Sequence, residues 1–292
     1  MGTTAEKIAR NIASQAKSKI VDLFSHRAVR QILHEAKLDG DEIKELISKS
    51  YDPYHAVYIY AQRLTSVAAE QLSTTREARL YAKVVGDAEN TYMPSYPPLS
   101  PLTTSYFTMW AFFDVLFGQS HETIGTCLLS IADVVGFPVW LKEVLGSMQC
   151  SRMGLYTHSG IDGRFIRLRE LGSQQTKLCL VPTGYCGTRG EIWFARLMPP
   201  INARLDYHVV FTTPYIIINV GERELKEYLD RERGRLGPRV LPRKMDATTF
   251  IMKHGPTANH WNEYIFCAYS GHQHDAVFLT GIPDIKESLP HP

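Results

Sequence analysis

Cys150-Ser-Arg-Met-Gly-Leu-Tyr-Thr-His158 and, shortly after, Arg164-Phe-Ile-Arg-Leu-Arg-Glu170 decide the fold. Before them, apolar residues recur every three to four positions; within them, they recur every second position. The first rhythm lines one face of a helix and the second lines one face of a strand. In the second stretch Arg164, Ile166 and Leu168 share one face, while Phe165, Arg167 and Arg169 share the other. Arginines on both faces fit a sheet edge or a partly covered face.

The same alternation predicts strands at Met153–His158, Arg164–Glu170, Lys177–Val181, Glu191–Leu197, Tyr207–Thr212 and Tyr215–Asn219. Turns are expected at Ser159–Gly163, Leu171–Ser173 and Thr183–Gly187, where glycine and small polar residues cluster. Short strands with tight connections predict antiparallel pairing in a meander or small barrel. Downstream, a polar helix is expected at about Glu222–Arg233, a helical stretch near Asp246–Lys253 and a last strand at about Ala276–Leu279. The pattern over Trp261–Tyr269 fits either helix or strand.

Upstream the chain reads as helices. Thr3 and Glu6 have capping-box spacing ahead of Ile8, Ile12, Ala16, Ile20, Leu23 and Phe24 on one face. Ser25, Asp41 and Asp52-Pro53 are further start signals, and Thr74 with Glu77 makes another capping box within a pattern running to about Val85. Pro94, Pro97, Pro98 and Pro101 exclude regular helix across 93–102 and favour an extended linker. Pro98-Leu-Ser-Pro101 also has the bare spacing of an SH3 ligand, but no basic residue flanks it. Three apolar helices then start near Thr104, Ser120 and Pro138 and stop near Gly118, Gly136 and Gly146. Their core candidates are Trp110, Phe113, Leu116, Ile124, Leu128, Ile131, Val135, Trp140 and Leu145.

The expected class is therefore α+β: an N-terminal helical region followed by a helix-flanked antiparallel β meander or small barrel. The expected division is a helical domain at 1–92, a proline-rich linker at 93–102 and an α+β domain at 103–292. Within the last, helices occupy 103–147, strands 151–219 and a mixed part 220–292.

Charge narrows the function classes. The 32 basic and 30 acidic side chains leave a net charge of +2, without the basic excess that marks a duplex-binding domain. Nucleic acid stays among the candidate partners only through a local patch. The five cysteines, Cys127, Cys150, Cys179, Cys186 and Cys267, are expected to be reduced thiols, most of them buried, which suits a cytoplasmic protein. Charged residues break any secretory core after Met1, and Glu6 stands where myristoylation wants serine or threonine. The apolar run at 107–117 is shorter than the roughly 20 residues of a membrane span. A soluble protein without a membrane partner is expected.

Two groups of residues carry the functional expectations. Arg231, Arg233, Arg235, Arg239, Arg243 and Lys244 face a single acid, Glu232, in a stretch that Gly234, Gly237, Pro238 and Pro242 mark as a loop. Arginine's planar fork captures phosphate or carboxylate, so this loop is the expected contact for an anionic partner, protein or otherwise. His254, His260, His272, His274 and Asp275 form the second group, with Cys267 between them. On an extended segment His272 and His274 project to one side, as two zinc ligands must. Their spacing matches no established metal motif.

Other constellations are incomplete. Arg27, Arg30 and His34 have helical spacing that could serve phosphodiester cleavage, but such spacing arises easily by chance and an exposed helix face is the favoured reading. Leu38-Asp-Gly-Asp-Glu-Ile fails as a calcium loop, because Lys37 and Leu46 fall at ligand positions. Gly184-Tyr-Cys-Gly187-Thr-Arg-Gly190 joins two strands and reads as a hairpin with glycines at positive φ rather than a phosphate cradle. Cys186 becomes a nucleophile candidate only if His208 approaches it.

The reading that follows is an interaction or regulatory protein without catalytic chemistry or cofactor, contacting an anionic partner through the arginine-rich loop. The alternative is a metal-assisted hydrolase or nuclease holding zinc or manganese on the C-terminal histidines and Asp275.

Overall fold

The computed structural model describes residues 75–94, 100–133, 137, 139–201, 206–236, 245–273 and 276–281, with scattered positions in 3–10 and 61–73. The expected helices started by Ser25 and Asp41 lie outside the described residues, as do the start at Asp52-Pro53, Arg27, Arg30, His34 and residues 95–99. The chain forms two compact units, 1–85 with 110–149, and 86–109 with 150–292. This division does not follow the proline segment: the helices of 110–149 group with the N-terminal helical region.

In the first unit the Thr3 capping box forms as its spacing predicts. The Thr3 N–H donates to Glu6 Oε2 at 3.0 Å and the Glu6 N–H donates to Thr3 Oγ1 at 3.1 Å. Thr74 and the Glu77 side chain, the second expected box, lie outside the described residues. Thr75 occupies the N-cap of a 3₁₀ turn at Arg76–Ala78, and its hydroxyl donates back to Leu72 O at 2.7 Å. Helices α1 (Arg79–Tyr92) and α2 (Thr104–Phe113) each run across the division at 85/86 or 109/110, and α3 (Ile124–Ile131) and α4 (Val139–Cys150) follow.

Helix α3 begins at Ile124 rather than near Ser120, because Phe117 and Glu122 exchange both backbone hydrogen bonds around a tight turn. Gly118 occupies that turn at φ 69°, and the helix can start only beyond it. Thr123 is the cap: its hydroxyl accepts from the Thr126 N–H at 3.1 Å and donates to Gln149 Oε1 at 2.9 Å. Thr123→Ala is expected to cost about 1 kcal/mol, read as a lower urea midpoint. Gly146 sits inside α4 instead of ending it. Phe113, Ile124, Leu128, Ile131 and Leu145 are buried as expected, but Trp140 lies in the first turn of α4 with 38% of its surface exposed.

The second unit is built on strands β1 (Arg152–Asp162), β2 (Phe165–Glu170), β3 (Thr176–Leu180), β4 (Ile192–Met198), β5 (His208–Val210) and β6 (Tyr215–Ile217). After these come α5 (Glu222–Arg235), α6 (Ala247–His254), α7 (His260–Ala268), β7 (Tyr269–Gln273) and β8 (Ala276–Leu279). Strand β1 pairs with both β2 and β4, β2 pairs with β3, β3 with β5, and β5 with β4. These five pairings close a barrel in the order β1-β2-β3-β5-β4-β1. Strands β6, β8 and β7 extend the sheet outward from β4.

The α+β class and the small barrel hold, with two departures from wholly antiparallel pairing. The β3–β5 and β6–β8 pairs are parallel. Of the stretch expected as a turn, residues 159–162 continue β1 through a bulge between His158 and Gly160, where Gly160 adopts φ 136°, and only Gly163 turns. A bulge of this kind bends a strand, which lets β1 serve both halves of the barrel. The ambiguous segment at 261–269 is helix α7 up to Ala268, and β7 follows directly from Tyr269.

The interior is Tyr156, Ile166, Leu168, Cys179, Trp193, Ala195, Leu197 and Val210. The glycine-rich segment crosses from β3 to β4 instead of forming a hairpin, since those two strands do not pair. Its glycines do adopt positive φ: 79° at Gly184, 60° at Gly187 and 97° at Gly190. A Cβ at Gly187 would lie 2.7 Å from the Trp193 ring. The segment is tied to β1 at residue 158, where the backbone exchanges bonds with Glu191 and Gly190 and the His158 Nε2 donates to Cys186 O at 3.0 Å. Among the described residues no helix is long and apolar enough to cross a membrane.

Candidate anion-binding face of the barrel

Strand β2 places Ile166, Leu168 and Glu170 inward, all buried, and turns Phe165, Arg167 and Arg169 outward. This is the face assignment that the alternation predicts. The β1–β2 turn adds Arg164, whose guanidinium carbon lies 5.0 Å from the centroid of the Phe165 ring and 6.0 Å from that of Tyr207. The Phe165 and Tyr207 centroids are 4.9 Å apart. Tyr207 comes from the connection between β4 and β5, so strand β2, the β1–β2 turn and the β4–β5 connection meet at one cluster. An arginine over two rings is a cation–π arrangement, and it holds the guanidinium near the surface.

Acids accompany the outward arginines. Arg167 Nη2 donates to Asp162 Oδ2 at 2.7 Å, an exposed pair of small energetic weight. Arg169 Nη2 donates to Glu222 Oε1 at 2.6 Å, and its Nη1 donates to Gln174 Oε1 at 2.5 Å. The Thr157 hydroxyl also donates to Glu222 Oε1, at 2.6 Å. That hydrogen bond, opposed by burial and reinforced by Arg169, holds the Glu222 carboxyl below its usual range.

Inside one end of the barrel lies a second charged cluster. Glu170 accepts from Arg152 Nη2 at 2.6 Å and from the Ser173 hydroxyl at 2.6 Å, with Lys177 Nζ 3.7 Å away. Burial pushes the Glu170 carboxyl up, but Arg152, Ser173 and Lys177 together outweigh it and hold it below its usual range. His208, directly across the β3–β5 pairing from Cys179, has its pKa pushed down to about 4 by burial and by Lys177, against the opposing pull of Glu170. Its Nδ1 is buried without a hydrogen-bond partner. Nearby, Arg196 is fully buried, and its Nη1 donates to Ser151 O at 3.2 Å and Oγ at 2.9 Å. Lys253 Nζ donates to the same carbonyl at 2.7 Å. Both cations thus converge on the Ser151 carbonyl inside the fold.

The sequence-derived site residues are described only in part. Arg231, Arg233 and Arg235 lie on helix α5, not on a loop. Arg233 pairs with Asp230, and Arg235 pairs with the buried Glu232 at 2.5 Å. Arg239, Arg243 and Lys244 lie outside the described residues. His254 ends α6 with its ring 5.2 Å from Phe250, while His260 begins α7 with its Nε2 2.5 Å from the Tyr228 hydroxyl. The side chain of His272 and all of His274 and Asp275 lie outside the described residues. Among the described residues no group of three or more His, Cys, Asp or Glu side chains could hold a metal ion.

The imidazole that meets residue 186 is His158, and it meets the carbonyl; the Cys186 thiol donates to Gly184 O at 3.4 Å. The five cysteines form no disulfide, yet only Cys127 and Cys179 are buried, while Cys150 and Cys186 are exposed. Sequence reasoning treated Arg164, Phe165, Arg167 and Arg169 as strand residues only. The available signal was the density of arginines on a single strand.

The strand order β1-β2-β3-β5-β4-β1, with a bulged first strand and a parallel β3–β5 closure, makes a closed five-stranded barrel of mixed pairing. No known family, curated protein or solved structure matches the chain.

Proposed function

We propose that the chain is a non-catalytic binding protein that holds a single-stranded nucleic acid across the outer face of β2. The observation that carries this reading is the cluster of Arg164 with the Phe165 and Tyr207 rings, continued along the strand by Arg167 and Arg169. A nucleobase needs a flat apolar surface and a phosphate needs a cation. A half-buried phenylalanine beside arginines supplies both without any reading of base sequence. From Phe165 to Arg169 the strand rises about 13 Å, room for several contacts along an extended chain. By analogy of architecture alone, small five-stranded barrels of the OB type bind oligonucleotides on the strand 2–3 face and the loops joining strands 1–2 and 4–5, the same elements that meet here. The near-balanced net charge fits a local patch better than a field covering the whole protein.

Fluorescence anisotropy with labelled oligothymidylate, oligouridylate and a duplex of equal length tests the reading. The single strands are expected to bind better than the duplex. Phe165→Ala is expected to weaken binding about tenfold, the loss of one stacked base. Arg164→Ala and Arg167→Ala are each expected to flatten the slope of log K against log salt by about 0.7. Binding that survives all three substitutions, or an acidic peptide that outcompetes the oligonucleotides, overturns the proposal.

A further inference from the structure

We infer that the carboxylate of Glu222 occupies a phosphate subsite on this face, so that the nucleic-acid strand must displace one of the protein's own acids to bind fully. The inference rests on the nucleic-acid reading above. Three donors of different chemistry converge on Glu222. Thr157 Oγ1 and Arg169 Nη2 each lie 2.6 Å from its Oε1, and Lys226 Nζ lies 3.6 Å from its Oε2.

Two of those donors are set by the barrel itself. Thr157 and Arg169 are direct partners in the β1–β2 register, so the backbone ladder brings hydroxyl and guanidinium together whatever lies between them. Glu222 comes instead from outside the barrel, at the first position of α5. About 30% of each side chain is exposed, 30% for Arg169 and 31% for Glu222, so solvent and solutes reach the pair.

A hydroxyl, a guanidinium and an ammonium around an oxyanion suit phosphate as well as carboxylate, through charge-assisted hydrogen bonds of the same kind. Phe165 and Arg169 lie on the same outward face of β2. A strand stacked at Phe165 and continuing along β2 therefore brings a phosphate to Arg169, where a second anion cannot share the donors without strong repulsion. Glu222 thus acts as an internal competitor that lowers affinity. It also favours ligands with enough phosphates to displace it.

Glu222→Gln keeps the side chain's size and removes its charge. Its anisotropy titration with oligothymidylate is expected to show binding about five- to tenfold tighter than wild type, the scale of one partly exposed charged contact. The salt slope is expected to steepen by about 0.7, equivalent to one added phosphate. Glu227→Gln removes the same charge from an exposed site on the same helix, and is expected to change affinity less than about twofold. In an Arg169→Ala background, Glu222→Gln is expected to change nothing. Glu222→Asp, which retains the charge but shortens its reach, is expected to tighten binding by a smaller factor and serves if the glutamine variant does not fold.

Wild-type binding that Glu222→Gln leaves unchanged overturns this inference while the barrel-face reading stands. So does a gain matched by Glu227→Gln or retained without Arg169. Absence of oligonucleotide binding in wild type and variants alike removes both.

Discussion

Trp193→Ala is expected to lower stability by about 3–5 kcal/mol, the usual cost of removing a fully buried large aromatic side chain. Trp193 has no exposed surface, and its centroid lies 5.5 Å from that of Tyr185 and 5.7 Å from that of His158. Its Nε1 also donates to Glu191 Oε2 at 2.9 Å, and Glu191 in turn accepts from the Tyr185 and Thr188 hydroxyls. Alanine would therefore empty part of the barrel and release the segment that crosses its end. Urea denaturation is the measurement, with near-ultraviolet circular dichroism reporting the aromatic packing. Trp140→Ala, at a 38% exposed position, is expected to cost less than about 1 kcal/mol by the same measurement. Equal losses at the two tryptophans would contradict the assignment of Trp193 to the interior.

The second large effect is a loss of stability in mild acid. Folded His208 has a pKa near 4 against an ordinary 6.5, set first by burial and then by Lys177. Between those values the unfolded chain binds more protons than the folded one, so stability falls as pH falls. With allowance for the partial exposure of the ring, the contribution is about 2–3 kcal/mol, fully present above the ordinary histidine value and gone below about pH 4. Glu170 adds to the same trend further down, because Arg152, Ser173 and Lys177 hold its carboxyl below its usual range despite burial. Urea midpoints taken from neutral pH downward are expected to decline across this window, and His208→Gln is expected to flatten the decline. A variant whose profile matched wild type would assign the acid sensitivity to other groups.

Much of this was legible in particular residues. The alternation in Arg164-Phe-Ile-Arg-Leu-Arg placed Ile166 and Leu168 inward and Phe165, Arg167 and Arg169 outward, as the structure has them. The spacing of Thr3 and Glu6 announced a capping box that forms. Trp140 and Trp193 could not be separated in this way, since both sit in apolar runs and only contact with the rest of the fold decides which is covered. The bulge at His158–Gly160 was equally hidden, because a glycine after a serine reads as a turn unless the partner strands on both sides are known.

Local chemistry by itself determined most of the segments that become helix or strand, and which side of β2 faces inward. These follow from side-chain periodicity and from backbone donors satisfied within a few residues. Only the tertiary structure decided that β3 lies beside β5 and β4 beside β1, and that Glu222, 53 residues from Arg169, completes its ion pair. Barrel closure and the candidate binding face depend on groups far apart in the chain, and their meeting is set by the summed packing of the whole unit, which no short stretch encodes.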